Sequence, residues 1–372
     1  MTARANKRFL SVDFLRGATV AFMVVANNPG DTWYVYRELL HSHWHGWTAV
    51  DFIFPLYLFL VGVSVALAVK RGLLETGKGS IWPRAFRRAA VLFVLGLAVN
   101  GFPFYDLDSL RIPGVLQRIA VVYLAVLWLH RRLGKYGVAG LALVILVVYW
   151  LLWAFVPVPG LGYPTMNMEY NLEGWLDQLL MRGHIWEYDT GWDPEGLLST
   201  FPCISLALFG ILAGRWLKAE TGKKPGCPAV LGLGLAMLLG GLAWNVWFPI
   251  NKTISTSSFV LFVGGFALML VAVAHSLLDA APSRGWMRPV LALGRNALFL
   301  YVVSQLLTQT LFVVRLPWIA GGVQSLHTWL FGAMFGYFGD RYAASMAWAL
   351  AMLAAMTVLA LVMDRKGWVV KL

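Results

Sequence analysis

The sequence predicts an all-α polytopic membrane protein with about ten transmembrane helices and cytoplasmic N- and C-termini. Of its 372 residues, 59% are hydrophobic and only 13% are charged, whereas soluble domains have about 25% charged residues. Apolar segments of roughly 20 residues, the length that crosses a bilayer, recur along the whole chain. Lysines and arginines alternate between the connecting segments as the positive-inside rule requires.

The predicted spans follow from the apolar segments alone. They are residues 9–27, 50–70, 84–101, 111–130, 137–156, 197–217, 229–248, 256–278, 289–314 and 342–364. Residues 323–338 are also apolar, but they are short and rich in glycine. We expect them to be interfacial or re-entrant, because an eleventh span would place the basic C-terminus outside.

The charge distribution fixes the predicted orientation. With the N-terminus inside, 21 of the 30 lysines and arginines lie in cytoplasmic segments, six in outer segments and three within helices. The net charge of +12 therefore reflects topology and contact with the lipid bilayer, and not nucleic-acid binding. The longest outer segment, 157–196, is acidic. We expect residues 1–372 to form one domain in a bacterial inner membrane, as a monomer or a homodimer.

Polar side chains converge at the outer ends of the predicted spans. Ionisable groups are costly inside a bilayer, so each of them marks a candidate site. The residues at this depth are Asn27, Asn28, His41, His43, Trp44, His45, Asp51, Arg111, Gln117, Arg118, Asp193, Glu195, Asn251 and Lys252. Their convergence from distant parts of the sequence predicts a functional site near the outer face.

Several of these residues also have a structural interpretation. Thr48-x-x-Asp51 is a capping box, which alone could account for the aspartate. Asp193-Pro194 fits the N-cap and first position of the sixth span, which favours a structural role for this aspartate.

The arginines divide by depth. Arg111 and Arg118 are seven residues apart and would share one helical face. Arg111 could snorkel to the interface, whereas Arg118 lies deeper and needs a partner or an anionic ligand. Near the inner face, Asp13 and Arg16 could pair across one helical turn, and Arg295 could be an ordinary positive-inside residue.

The histidine cluster His41-Ser-His43-Trp-His45 admits three interpretations. Its spacing could suit zinc, but no cysteine or carboxylate is obviously supplied nearby, so we expect no metal. A short polar loop is a second interpretation. A histidine beside a membrane cavity is better suited to proton transfer.

Seven motifs in order carry a family resemblance. They are SVDFLRG (11–17), ANNPG (26–30), HSHWHGWTAVDFIFPLYLFLVGVS (41–64), RIPGVLQR (111–118), DPEGLLST (193–200), FPINK (248–252) and LGRNALFLY (293–301). Together they resemble the heparan-α-glucosaminide N-acetyltransferase family over nearly the whole chain. The resemblance implies transfer of an acetyl group from cytoplasmic acetyl-CoA to a glucosamine amine across the membrane. It also implies that His41 matches the family's active-site histidine and Asn27 its important asparagine.

Acetyl transfer to an amine suggests a role for each residue. His41 would be the general base, Asn27 an oxyanion donor or acceptor-positioning group, and Asp51 the residue that orients a histidine. A covalent acetyl-His41 intermediate is the alternative mechanism. The predicted substrate-binding residues are Trp44, Arg118, Gln117, Glu195, Asn251 and Lys252. Those predicted to meet acetyl-CoA are Arg16, Arg295 and Asn296.

Two other functions stay open from the sequence. A transporter or flippase of a sugar would also need charges within the membrane, but such proteins are usually built from repeats. No repeat is visible here, and the polar groups gather at one face. An O-acyltransferase acting on a cell-envelope glycan would share the machinery and differ only in its acceptor.

Overall fold

In the computed structural model the chain is predominantly helical, and the structure describes residues 9–69, 80–186, 191–220, 227–279, 285–318 and 322–370. Its α-helices are α1 (Leu10–Asn27), α2 (Ile53–Ala68), α3 (Trp82–Gly101), α4 (Val115–Arg132), α5 (Lys135–Phe155), α6 (Leu172–Met181), α7 (Thr200–Ala219), α8 (Pro228–Trp244), α9 (Ser257–Ala274), α10 (Arg288–Arg295), α11 (Ala297–Val313), α12 (Leu326–Phe335) and α13 (Arg341–Arg365). Strands β1 (Arg315–Trp318) and β2 (Gly322–Ser325) form an antiparallel hairpin.

Some predictions concern residues outside these ranges. They are the basic residues Arg4, Lys7, Arg8, Lys70, Arg71, Lys78, Lys223, Lys224, Arg284 and Lys371 of the predicted inner segments, and the acidic Glu187 and Asp189 of the outer segment.

Six described helical segments are long and apolar enough to cross a membrane, and the bent pair α10–α11 would make a seventh. The six are α1, α5, α7, α13, the segment Val50–Ala68 that includes α2, and the segment Ser257–Asp279 that includes α9. Helices α3 and α4 are of similar length but contain three arginines each, and α8 is apolar but has only 17 residues. The membrane character that the sequence predicts is therefore confirmed.

Small residues let the central helices approach closely. A Cβ atom at Gly62 in α2 would lie 1.9 Å from the carbonyl oxygen of Ala207 in α7. A Cβ atom at Gly17 in α1 would lie 1.9 Å from that of Val290 in α10. Such contacts are typical of membrane helices, where packing replaces the hydrophobic effect as the source of helix association.

The predicted span 289–314 is two helices, and not the single one that its hydropathy indicates. Helices α10 and α11 meet at an angle of 75°. Asn296 lies at the break, where its side chain donates to the carbonyl of Trp368 (3.1 Å) and accepts from the backbone N–H of Val370 (2.9 Å). An asparagine that binds backbone outside its own helix competes with helical continuation.

Two helix starts differ from prediction. Helix α4 begins at Val115, so Arg111 precedes it and does not share a helical face with Arg118. Pro113 explains this, because a proline disfavours helical backbone in the residue before it. Helix α7 begins at Thr200, so the N-cap interpretation of Asp193 is wrong.

The outer segment contains a helix that we did not predict. Helix α6 begins after Asn171, whose side-chain oxygen accepts from the backbone N–H of Gly174 at 2.8 Å. Side chains of the predicted outer segment form a second hydrophobic cluster with Trp44, Tyr149 and Phe248. This cluster joins the loop that contains His41–His45 to that segment.

Candidate active site

His41 and Asp51 form the central pair of the first outer loop. The imidazole Nδ1 of His41 lies 2.7 Å from Oδ1 of the fully buried Asp51. The carboxylate makes Nδ1 the protonated nitrogen, which leaves the lone pair of Nε2 available. The His41 side chain is 55% exposed, and Nε2 has no partner among the described residues. The pair therefore presents a proton acceptor at an accessible position.

Asp51 fills both roles that the sequence allows. Its Oδ2 accepts from the backbone N–H of Thr48 at 2.9 Å, which is one half of a capping box. The same oxygen accepts from the backbone N–H of Ser42 at 3.1 Å. The other oxygen holds His41. The carboxylate therefore fixes the loop backbone and the imidazole at once.

The loop is attached to two neighbouring segments. The backbone N–H of Gly46 donates to the carbonyl of Ile250 at 2.7 Å. Gly46 has φ +101°, a left-handed conformation that favours glycine. The indole N–H of Trp44 donates to the carbonyl of Met166 at 2.8 Å, and its ring lies 5.2 Å from that of Trp192. Since Trp44 is only 8% exposed, it supports the loop.

Asn27 and Asn28 face different surroundings at the end of α1. Asn28 is buried, and its side chain binds the carbonyl of Val24 and the hydroxyl of Thr308. The side chain of Asn27 is exposed and makes no hydrogen bond within the described residues. The end of α1 packs on the turn that holds Asp51, through a cluster that includes Met23 and Val50. Asn27 is therefore close to the His41 loop and available to a ligand.

Arg111 connects the start of α4 to the acidic outer segment. Its guanidinium binds both oxygens of Asp193, at 2.8 and 2.6 Å, and one oxygen of Glu195 at 2.6 Å. It also lies 4.5 Å from the centre of the Trp186 ring. Burial alone would lower the pKa of Arg111, but the two carboxylates raise it. Burial works against ionisation of Glu195 too, yet Arg111 and Lys252 hold its pKa below the usual value.

Arg118 and Gln117 point into the protein. The guanidinium of Arg118 donates to the carbonyl of Gly196 (2.9 Å) and the hydroxyl of Ser199 (2.6 Å). It also approaches the sulfur of Cys203 at 3.6 Å. Gln117 is buried against Gly96 of α3. The sequence predicts that the deep Arg118 needs a partner or an anionic ligand. In the structure its partner is the segment that precedes α7.

Asn251 and Lys252 lie on the loop that pairs with Gly46. Asn251 is fully buried; its side-chain oxygen accepts from the backbone N–H of Ile254 at 3.2 Å, and its Nδ2 has no partner among the described residues. Lys252 is half-buried and attracts Glu195. The structure thus brings Lys252, Glu195 and Arg111 into one charged group.

The three residues predicted to meet acetyl-CoA differ in how firmly they are held. Arg16 lies 3.5 Å from Asp13, as predicted, and also binds the hydroxyl of Ser64. Arg295 forms an ion pair with Asp364 of α13, and Asn296 binds the C-terminal segment. Arg16 is therefore better placed than the other two to exchange its contacts for a ligand.

Among the described residues, no carboxylate pairs with either of the other two histidines of the loop. His43 is exposed, and burial lowers the pKa of His45. In the part of the chain that the structure describes, no three His, Cys, Asp or Glu side chains are grouped to hold a metal ion.

Glu173 and Asp177 of α6 are structural residues that the sequence interpretation missed. Asp177 accepts from the backbone N–H groups of Asp193 (3.1 Å) and Leu197 (3.1 Å). Glu173 accepts from that of Ser199 at 3.2 Å. Burial raises the pKa of Asp177 to about 6 and that of Glu173 well above its usual value. The N-cap residue Asn171 was the sequence signal that could have revealed this helix.

The raised pKa of Asp177 predicts a pH-dependent stability. An unfolded aspartate titrates near pH ~3.9, so between pH ~4 and about 6 only the native state keeps the proton. Stability should therefore fall as the pH rises through this window. Asp177→Asn removes this titration, and its effect on the hydrogen bonds of residue 177 does not depend on pH. We expect the Tm advantage of the wild type over Asp177→Asn to shrink from pH 4 to pH 6.5. A constant difference would show that Asp177 does not titrate there.

Comparison with known families decides the assignment. The family model described as "Heparan-alpha-glucosaminide N-acetyltransferase, catalytic" matches residues 8–240, more than half of the chain. The chain belongs to this family. The match contains His41, Asp51 and Asn27, and the family resemblance that the sequence motifs carry is confirmed.

Two curated relatives have the family's name. Heparan-alpha-glucosaminide N-acetyltransferase of Mus musculus is 27% identical over 361 aligned residues, which cover 81% of this chain and 54% of the relative. The Homo sapiens protein of that name is 28% identical over 356 residues, which cover 79% of this chain and 52% of the relative. The chain therefore spans about half the length of the curated relatives it matches.

Proposed function

We propose that this family member is a transmembrane acetyltransferase that moves an acetyl group from cytoplasmic acetyl-CoA to the amine of a glucosamine-type sugar on the outer side. The observation that carries the proposal is the His41–Asp51 pair, at 2.7 Å, with the Nε2 atom of an exposed imidazole left unbonded. A buried carboxylate that orients a histidine is the arrangement of a general base.

The reaction assigns a task to each group. Nε2 of His41 removes a proton from the sugar amine as its nitrogen forms a bond to the acetyl carbonyl carbon. The bond from that carbon to sulfur breaks, and the sulfur leaves as the CoA thiolate, which takes up a proton. The carboxamide N–H of Asn27 stabilises the oxyanion that forms in between. Lys252 and Glu195 would contact the acceptor beside the loop.

The donor would enter from the opposite face. Ten spans with cytoplasmic termini, as the basic residues predict, place Arg16 near the inner end of α1. Its 3.5 Å contact with Asp13 is long for a charge-assisted hydrogen bond, so a CoA phosphate could replace it, with Arg295 and Asn296 as weaker candidates. Cysteine labelling tests the orientation: the exposed position 169 should react from outside and the exposed position 136 only from inside.

The test is an assay of purified protein with acetyl-CoA and glucosamine. The proposal predicts one free thiol for each N-acetylglucosamine formed. Acetylation of a hydroxyl acceptor, with no reaction at the amine, would favour the O-acyltransferase. Absence of thiol release with every acceptor, from folded and monodisperse protein, would contradict acetyl transfer and favour a transporter. Mass spectrometry of protein incubated with acetyl-CoA alone would reveal an acetyl-His41 intermediate.

A further inference from the structure

The C-terminal elements, which lie outside the family match, hold the segment that follows Asn27. Residues 28–31 contact α11, α12 and α13 in turn. The first contact is the buried side chain of Asn28, which accepts a hydrogen bond from Thr308 of α11. The backbone beside the candidate catalytic asparagine is therefore fixed by a helix that is distant in sequence.

Ser345 of α13 holds the next two residues. Its hydroxyl accepts from the backbone N–H of Asp31 (3.1 Å) and donates to the carbonyl of the same residue (3.1 Å). Its carbonyl accepts from the backbone N–H of Gly30 at 3.2 Å. Gly30 packs so tightly that a Cβ atom there would lie 2.4 Å from the ring of Phe331. This close approach requires glycine.

His327 of α12 lies in the aromatic cluster that packs around Gly30. It is 5% exposed, and its ring stacks on that of Phe312 at 4.2 Å and meets that of Trp348 edge-on at 4.8 Å. Phe331, whose ring centre is 6.2 Å from that of His327, and Trp348 are the two side chains that enclose Gly30. Burial lowers the pKa of His327, while the Pro29 carbonyl and the charge of Asp31 act in the opposite direction. A neutral imidazole suits a role in positioning.

Asn27 differs from the four residues that follow it. Each residue from 28 to 31 is bonded or packed, whereas the Asn27 side chain has no hydrogen bond among the described residues. Such an arrangement fixes the backbone and leaves one carboxamide free for a ligand. We infer that Ser345 and His327 are positioning residues that hold Asn27 for the reaction, an inference that rests on the proposed acetyl transfer.

The position of the Asn27 carboxamide should affect the rate of acetyl transfer. A displacement of about 1 Å at a reacting group can cost roughly 10²-fold in rate. Ser345→Ala removes the hydroxyl contacts to Asp31 with little change in volume, so the chain should still fold. We expect kcat to fall by about tenfold or more, because Asn27 loses its fixed position. The KM for acetyl-CoA should stay near the wild-type value, since the donor enters from the other face.

The test is a double-mutant cycle between Ser345→Ala and Asn27→Ala. If Ser345 acts through Asn27, its replacement should have little further effect once the carboxamide is absent. A merely structural role would lower activity by the same factor in both backgrounds. Thr357→Ala is the control in α13, because among the described residues this hydroxyl binds only the carbonyl of Leu353 within its own helix, and it should leave kcat unchanged.

A second variant pair tests His327. His327→Phe keeps the ring that packs on Phe331 and Trp348 and should retain more activity than His327→Ala at equal expression and thermal stability. Equal activity of Ser345→Ala and wild type, or multiplicative effects in the cycle, would overturn the inference. A wild type that releases no thiol would instead reject the proposed function, which distinguishes the two failures.

Discussion

His41→Ala should lower acetyl transfer by about 10²–10⁴-fold, the usual cost of losing a general base. The physical reason is that, in the proposed mechanism, Nε2 of His41 accepts the proton while the buried Asp51 holds the imidazole in one tautomer. The side chain is 55% exposed, so its removal creates no cavity, but Oδ1 of the buried Asp51 loses its partner, and the free energy of unfolding should fall by about 1–3 kcal/mol. Turnover is measured as thiol release with glucosamine as acceptor.

The neighbouring histidines are the matched controls. His43→Ala and His45→Ala should each retain a substantial part of the activity, because in the described ranges no buried carboxylate pairs with either imidazole. Asp51→Asn should also be impaired, since an amide in its place no longer fixes Nδ1 as the protonated nitrogen. Turnover of His41→Ala within a few-fold of wild type would refute the assignment. If His43→Ala is inactive and His41→Ala is active, the general base is His43, two residues further along the loop.

Arg111→Ala should cause the largest loss of stability, about 3–5 kcal/mol, because it leaves the fully buried Asp193 without its ion-pair partner and removes one of the cations beside Glu195. Asp193 is fully buried and the Glu195 side chain is 8% exposed, while Arg111 itself is 17% exposed. The stability of Arg111→Lys should lie between those of the wild type and Arg111→Ala, since a lysine keeps the charge but cannot reproduce the two parallel hydrogen bonds to Asp193. Unfolding of the purified protein in denaturant and protease cleavage within 157–196 are the measurements.

Arg182→Ala provides the control in the same outer segment. This arginine is exposed, so its removal should change stability by no more than about 0.5 kcal/mol. If Arg111→Ala is equally mild, the charged group that surrounds Arg111 is not what holds the outer layer together.

Spans were predictable because a bilayer demands long apolar segments, and their ends were predictable only where local signals decide them. Helix α1 ends at Asn27, as the sequence predicts. The start of α7 was not predictable, because Asp193-Pro194 has the local features of a helix start. Tertiary contacts prevailed: Asp193 is held by Arg111 from another part of the chain. A similar distant contact, from Asn296 to the C-terminal segment, breaks the ninth predicted span.

The candidate site shows the same division. The sequence predicted that Asp51 orients a histidine, because it lies at the outer end of a span close to the histidine loop. The sequence could not show that the Arg118 guanidinium hydrogen-bonds Gly196 and Ser199. The position of a residue along a predicted span does not reveal which other segment its side chain contacts. Nor could the sequence reveal Ser345, which binds Gly30 and Asp31 from more than 300 positions away, or His327, which packs on the side chains that enclose Gly30.

In the proposed reaction an acetyl group crosses the membrane while CoA does not. Inverted membrane vesicles test this when they carry glucosamine inside and receive acetyl-CoA outside, where the cytoplasmic face is exposed. We expect N-acetylglucosamine in the lumen, free thiol outside, and neither product with His41→Ala. Product that forms only when acetyl-CoA and glucosamine share one side of the membrane would contradict it.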